Sequence, residues 1–215
     1  EDEKPDGVAV AFDLKAPTFR HKEYDQYKAG RKPMPEELRG QLPLLKSILP
    51  LMGCVCLEKE GFEADDILGT LAKACEDSAN ECVIATGDKD SLQLISDRVR
   101  VVLSATRMGG PEIISYDKVA LFEKYGLTPA QMIDLKALMG DSSDNIPGVK
   151  GIGEKTAKTL LQKFGSLDGV YENLEDAAIK PKMREKLVAD KENAYLSYEL
   201  ATIIPEAPIE FAPVD

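Results

Sequence analysis

The side chains that could do chemistry in this chain are carboxylates. Asp13 follows the apolar run Val8-Ala9-Val10-Ala11-Phe12, and Asp88 and Asp90 follow Cys82-Val83-Ile84-Ala85-Thr86. Glu63, Asp65 and Asp66 crowd the start of a helical stretch, and Asp141 and Asp144 flank a pair of serines. Taken singly, each group reads as a strand end, a helix cap or a turn. Taken together they do not, because gathering carboxylates costs more than capping returns unless a cation offsets their charge. Ligands that are all oxygen select Mg²⁺ or Mn²⁺ over zinc or copper. Two such ions, about 4 Å apart, could activate water and stabilise the leaving oxygen in phosphodiester hydrolysis.

Other chemistries find little support. His21 is the one histidine, so neither a Ser-His-Asp nor a Cys-His arrangement is credible. No GxxxxGK[ST] phosphate loop occurs, which disfavours an NTPase. Cysteines 54, 56, 75 and 82 form no CxxC pair and lie far from His21 in sequence. They read as small buried hydrophobes in a reducing cytoplasm, not as a zinc site.

Two further segments would meet a substrate. Ile146 to Lys158 places Gly148, Gly151 and Gly153 in a tight turn before an amphipathic helix with Ala157, Leu160 and Leu161 inward. Backbone N–H groups at such a helix start can hold a DNA phosphate, with Lys150, Lys155, Thr156 and Lys158 alongside. The plain alternative is an interhelical turn. Phe19 to Lys32 interleaves Arg20, Lys28 and Arg31 with Tyr24 and Tyr27, a pattern suited to stacking on frayed DNA; its alternative is a solvated loop. The net charge of −11 taken alone argues against nucleic acid. The sum misleads where acids are collected to hold cations.

These groups need a frame. Apolar runs at 8–12, 54–57, 82–86 and 99–103 read as strands, and helical spacing runs through 38–52 and 63–75. Residues 14–35, with Pro17, Pro33 and Pro35, read as a loop. The alternation predicts an α/β fold, a parallel sheet flanked by helices, whose sites lie beyond the carboxyl ends of the strands. Strands then stop at 115. Helices are expected at 116–125, 129–139, 153–164, 166–173, 180–189 and 191–202, followed by a proline-bearing linker from 205 to 215. The chain divides on this reading into a core at 1–115, a helical subdomain at 116–204 and the linker. No apolar run approaches the roughly 20 residues of a membrane span.

Ala11-Phe12-Asp13, Phe19-Arg20, Tyr27-Lys28-Ala29-Gly30-Arg31, Glu63-Ala64-Asp65-Asp66, Thr86-Gly87-Asp88-Lys89-Asp90, Gly140-Asp141-Ser142-Ser143-Asp144-Asn145 and the glycine hairpin occur in that order. Together they resemble the 5′-nuclease domain of bacterial DNA polymerase I, a flap-endonuclease-like family, over about residues 8–205. The resemblance implies a PIN-like core with a helix–three-turn–helix (helix–hairpin–helix) part, acting as a 5′→3′ exonuclease or flap endonuclease in replication and repair. It implies that Asp13, Glu63 and Asp65 serve one ion, that Asp88, Asp90, Asp141 and Asp144 serve a second, and that Asp66 is a further acid of the site. Lys28 and Arg31 match basic arch residues that grip the scissile phosphate and stabilise developing charge; Arg20 and Tyr27 fall in the same DNA-binding stretch. The hairpin would hold duplex DNA and a monovalent cation such as K⁺. The resemblance further implies a monomer in the bacterial cytoplasm, at the nucleoid, fused to a polymerase module. The family pattern starts with a strand ending in an Asp-Gly type motif, for which nothing before Val8 is a counterpart. A central strand, one site acid and the cover of an apolar edge are therefore expected to be missing from this stretch, which reads as a piece of a longer protein. Two alternatives stand beside the nuclease: a catalytically impaired fragment that only binds branched DNA, and a PIN-type ribonuclease, which the long hairpin part disfavours.

Overall fold

A computed structural model describes residues 3–107 and 110–211. Strand β1 (Val8–Ala11) runs parallel to β2 (Cys54–Leu57), with Val8 opposite Cys54 and Ala11 opposite Leu57. Between them lie three short helices, α1 (Phe19–Glu23), α2 (Glu36–Arg39) and α3 (Leu42–Ile48), and a 3₁₀ turn over Leu49–Met52. Gly53 ends that turn in the left-handed region at φ 83°, where a side chain would be strained. Helix α4 (Ala64–Asp77) follows β2 and leads to β3 (Cys82–Thr86). β3 pairs in parallel with β4 (Val99–Arg107), which pairs antiparallel with β5 (Gly110–Tyr116). Helices then take over: α5 (Lys118–Tyr125), α6 (Pro129–Met139), α7 (Glu154–Phe164), α8 (Leu167–Glu172), α9 (Pro181–Ala189) and α10 (Lys191–Ala201).

Three expectations need correction. The strand expected at 99–103 is longer, since β4 continues to Arg107, and β5 is an extra, antiparallel strand that ends at Tyr116, close to where the strands were expected to stop. Residues 14–35 are not all loop, because Thr18 starts α1 and its hydroxyl meets His21 Nδ1 at 2.9 Å. Residues 205–215 do not all form a free linker. Ile203 and Ala207 are buried, and the N–H groups of Ile204 and Ala207 donate to Asp66 Oδ1 and Thr70 Oγ1, both at 2.9 Å, so the chain lies down along α4. Gly69 leaves room for this, since a Cβ there would come within 2.7 Å of Ile203. The last part of the expected linker, 212–215, lies outside the described residues.

Among the described residues two larger apolar cores stand beside a small one of Tyr27, Ile146 and Leu200. Ala72, Ile84, Leu92, Val101 and Leu121 form one large core, between α4, the β3–β5 sheet and α5. Leu138, Val149, Leu161, Leu187 and Ala194 form the other, among α6, α7, α9 and α10. Leu121 sits in the first, so α5 packs with the strand layer. Among the described residues β1–β2 and β3–β5 do not pair with each other. An apolar face stands exposed along β2 and the preceding turn, at Leu51, Met52 and Val55.

Candidate metal centre

Each acid is delivered by a strand end or a helix start. Asp13, just past β1, accepts the Ala64 N–H at 2.7 Å and so fastens that strand end to the start of α4. Glu63 is the N-cap residue of α4 and is buried. Its carboxylate accepts from Tyr27 Oη at 3.1 Å and from Lys28 Nζ at 2.8 Å. Asp65, on the first turn of α4, accepts from Ser91 Oγ at 3.2 Å. Asp88 caps the 3₁₀ turn Lys89–Leu94 through the Asp90 N–H. Asp141 and Ile146 exchange both backbone hydrogen bonds, at 2.9 and 2.8 Å, which closes the Asp141–Asp144 loop into a fixed turn. Asp144, buried, takes Arg31 Nε at 3.0 Å, and its carbonyl takes the Lys28 N–H at 2.8 Å.

Asp13, Glu63, Asp65, Asp88, Asp90 and Asp144 line one small cavity of about 70 Å³, with Lys28 and Arg31 at its wall. Carboxylate oxygens of Asp90, Asp141 and Asp144 lie within 4.8 Å of one another. Crowding leaves its mark on the acids. Burial, then the charges of Asp88, Asp90 and Asp13, push Asp65 up to about 7. Burial also raises Asp90, against the pull of Lys136. Burial would raise Asp141 too, but hydrogen bonds from Lys136 and Ser143 hold it down at about 2. The donor set is all carboxylate, and Lys136 is drawn into it as a counter-charge. Both features fit a divalent cation.

Some expected site residues are engaged elsewhere. Asp66 is fully buried, and its two oxygens bind Arg20 Nη1 and Nη2 at 2.8 Å each, with the Glu63 and Ile204 N–H groups at 2.9 Å. Its oxygens are thus committed, and we assign it to the frame instead of the metal. Arg20 is 2% exposed and also reaches the Leu200 and Thr202 carbonyls, so it cannot contact DNA from there. Tyr27 is 4% exposed, with its hydroxyl on Glu63, and cannot stack on a base. The cysteines are half-buried, and Cys75 and Cys82 share a hydrogen bond.

The hairpin divides likewise. The Gly148 N–H donates to Ser197 Oγ at 2.8 Å, and the Lys150 N–H donates to Asp190 Oδ2 at 2.9 Å. These two are unavailable to a phosphate. A Cβ at Gly148, φ 60°, would fall 2.2 Å from Gly140 N, so this glycine serves a backbone crossing with the acid loop. Gly151, Gly153 and Lys155 remain exposed at the turn and the start of α7, with Thr156 half-buried beside them. Lys158 pairs with Glu154 at 2.6 Å and lies over the Tyr125 ring. Sequence reasoning missed Lys136 and Ser197. Lys136 is a lone cation in the apolar run Met132–Met139, five residues before Asp141, and that isolation was the available signal.

Comparison with known proteins agrees with this geometry. Residues 1–126 match the family described as 5′-3′ exonuclease, N-terminal resolvase-like domain, and residues 127–215 match its C-terminal SAM fold. The chain is 48% identical to DNA polymerase I of Thermus thermophilus over 208 residues, and 48% identical to that of Bacillus subtilis over 210. Those matches take in 97% and 98% of this chain but 24% of each relative, so the chain spans about a quarter of their length. Among solved structures, the T5 5′-exonuclease with bound divalent zinc has a TM-score of 0.76 at 26% identity, over 93% of this chain and 75% of that one. The catalytic core of Rad2 in complex with DNA shares the fold at a TM-score of 0.58 and 18% identity, over 95% and 65%. A PIN-like α/β layer carrying converging acids, joined to a helical SAM-like part, places this chain in the 5′-3′ exonuclease family as a nuclease domain.

Proposed function

We propose that the domain is a metal-dependent 5′→3′ exonuclease and flap endonuclease, hydrolysing phosphodiester bonds in nicked or branched DNA during replication and repair. The observation that carries this is the gathering of Asp13, Glu63, Asp65, Asp88, Asp90 and Asp144 around one cavity walled by Lys28 and Arg31. Asp13, Glu63 and Asp65 would hold one Mg²⁺ or Mn²⁺, and Asp88, Asp90, Asp141 and Asp144 a second. Bound there, the ions supply charge neutralisation and a water of lowered pKa. Lys28 and Arg31 place positive charge where a scissile phosphate would enter. Gly151, Gly153 and Lys155 offer a phosphate-binding edge for duplex DNA, with K⁺ as a further ligand of the turn. The domain works as a monomer in the bacterial cytoplasm, joined in its parent protein to a polymerase module.

A second reading is favoured by one feature: among the described residues the acids rest on two sheets that do not pair with each other. On that reading the chain alone binds branched DNA without cutting it. Incubation with a 5′-flap duplex, with and without Mn²⁺, separates the two. Cleavage that needs Mn²⁺ and vanishes in Asp88→Asn, with DNA binding kept, supports the nuclease. Cleavage that survives in Asp88→Asn refutes the assignment.

A further inference from the structure

Lys136 projects from α6 into the acid cluster. Its Nζ lies 2.8 Å from Asp141 Oδ2 and contacts both oxygens of Asp90. The side chain is 16% exposed, so this ammonium is largely withdrawn from water. The carboxylates it joins come from different elements, Asp90 from the turn after β3 and Asp141 from the loop after α6. They are also two of the three acids whose oxygens approach one another closely enough to share an ion. Lys136 is therefore bonded to the oxygens a divalent ion would need.

Lys136, Asp90 and Asp141 themselves line a second cavity, of about 380 Å³, together with Met132, Met139 and Glu154. The two methionines give a lysine stem an apolar surface to lie on, and Glu154, already paired with Lys158 at 2.6 Å, adds a carboxylate that two ammonium groups would share. A route out of the acid cluster is thus present.

We propose that Lys136 is a built-in counter-ion, which holds Asp90 and Asp141 together in the metal-free protein and withdraws along this cavity when a divalent ion binds. This inference rests on the metal-dependent reading above and goes beyond it by assigning a residue that sets how readily the site loads. Two consequences follow from the electrostatics. Without Lys136 the metal-free site carries uncompensated acids and loses stability. The ion then meets no competing charge and binds more tightly.

The test is calorimetric titration of Mn²⁺ into the wild-type chain and Lys136→Met, without DNA, alongside melting in EDTA. The proposal expects Lys136→Met to bind Mn²⁺ on the order of tenfold more tightly and to melt several degrees lower in EDTA. Lys136→Arg, which keeps the charge, should hold the wild-type melting point. Lys136→Gln serves the same titration should the Met variant not fold in EDTA. Equal or weaker Mn²⁺ binding in the neutral variants, with normal binding in the wild type, overturns the counter-ion role alone. Failure of the wild type to bind Mn²⁺ overturns the metal-dependent reading with it.

Discussion

Arg20 and Asp66 form a buried fork-to-fork pair, Nη1 to Oδ2 and Nη2 to Oδ1, both at 2.8 Å. The pair is a junction. Arg20 Nε reaches the Leu200 carbonyl at the end of α10, and Asp66 takes the N–H groups of Glu63 and Ile204. It thus ties α1, the start of α4 and the segment after α10 around Glu63. Removing one member leaves the other charged and buried, which costs about 3–5 kcal/mol. Asp66→Ala should lose stability on that scale in urea denaturation. Pairing it with Arg20→Met should restore part of the loss. Asp66→Asn, where it folds, should keep Mn²⁺ binding; loss of binding would return Asp66 to the metal.

Lys28 and Arg31 are already turned toward the acids, Lys28 on Glu63 at 2.8 Å and Arg31 Nε on Asp144 at 3.0 Å. The Lys28 backbone sits at φ 56° and is held by the Asp144 carbonyl. Both cations therefore stand at the cavity wall before any substrate arrives. Lys28→Ala and Arg31→Ala should each lower flap cleavage by roughly 10²–10³-fold, on the scale of losing one oriented donor to a developing negative charge. Arg31 is about half exposed but its partner Asp144 is buried, so its variant should melt below the wild type in EDTA and recover in saturating Mg²⁺. Single-turnover cleavage with the melting curve of the same sample checks both halves.

The acids also set a pH dependence. Asp65 is raised to about 7, above its unfolded value. A carboxylate raised in the folded state binds its proton more tightly there. Its folded form is therefore penalised as pH climbs from the ordinary carboxylate range toward 7. In EDTA, the melting point should fall across that window, and saturating Mg²⁺ should reverse the fall. Asp65→Asn should flatten the profile in EDTA and reduce the Mg²⁺ effect. A wild-type profile in EDTA that rises through the window instead would mean the acids are compensated from within.

Much of this was legible in the chain. The helix expected at 129–139 is found at Pro129–Met139, capped by Thr128. The acids were legible because they sit at strand ends and helix starts, where a parallel α/β layer puts its sites. What escaped depended on partners far away in sequence. Arg20 looks like a loop cation until Asp66, 46 residues on, is folded against it. Tyr27 looks like a stacking ring until Glu63 takes its hydroxyl. Strand β5 was hidden by Gly110 and Pro111, which read locally as turn residues, whereas its register comes from pairing with β4. The glycine at 148 was picked out as a phosphate-binding residue, whereas the structure packs it against the Gly140 backbone.

That backbone crossing makes the acid loop and the hairpin one piece. Besides the Gly140–Gly148 contact, the Val149 N–H donates to the Leu138 carbonyl at 2.9 Å, and Ser197 holds Gly148 from α10. On the proposed reading, a phosphate gripped at the hairpin would be held at a fixed distance from Asp141 and Asp144. Two substitutions separate grip from geometry. Lys155→Ala removes an exposed charge, so it should weaken duplex binding whatever the sequence and reduce the salt slope by about one, with melting unchanged. Gly148→Ala puts a methyl into the Gly140 backbone at a left-handed φ, so it should cost more than about 1 kcal/mol in stability and loosen the acid loop. Its Mn²⁺ affinity should fall along with its duplex affinity. If Gly148→Ala weakened DNA binding while leaving Mn²⁺ binding and melting intact, hairpin and acids would be independent modules, and the fixed spacing between them would have no role.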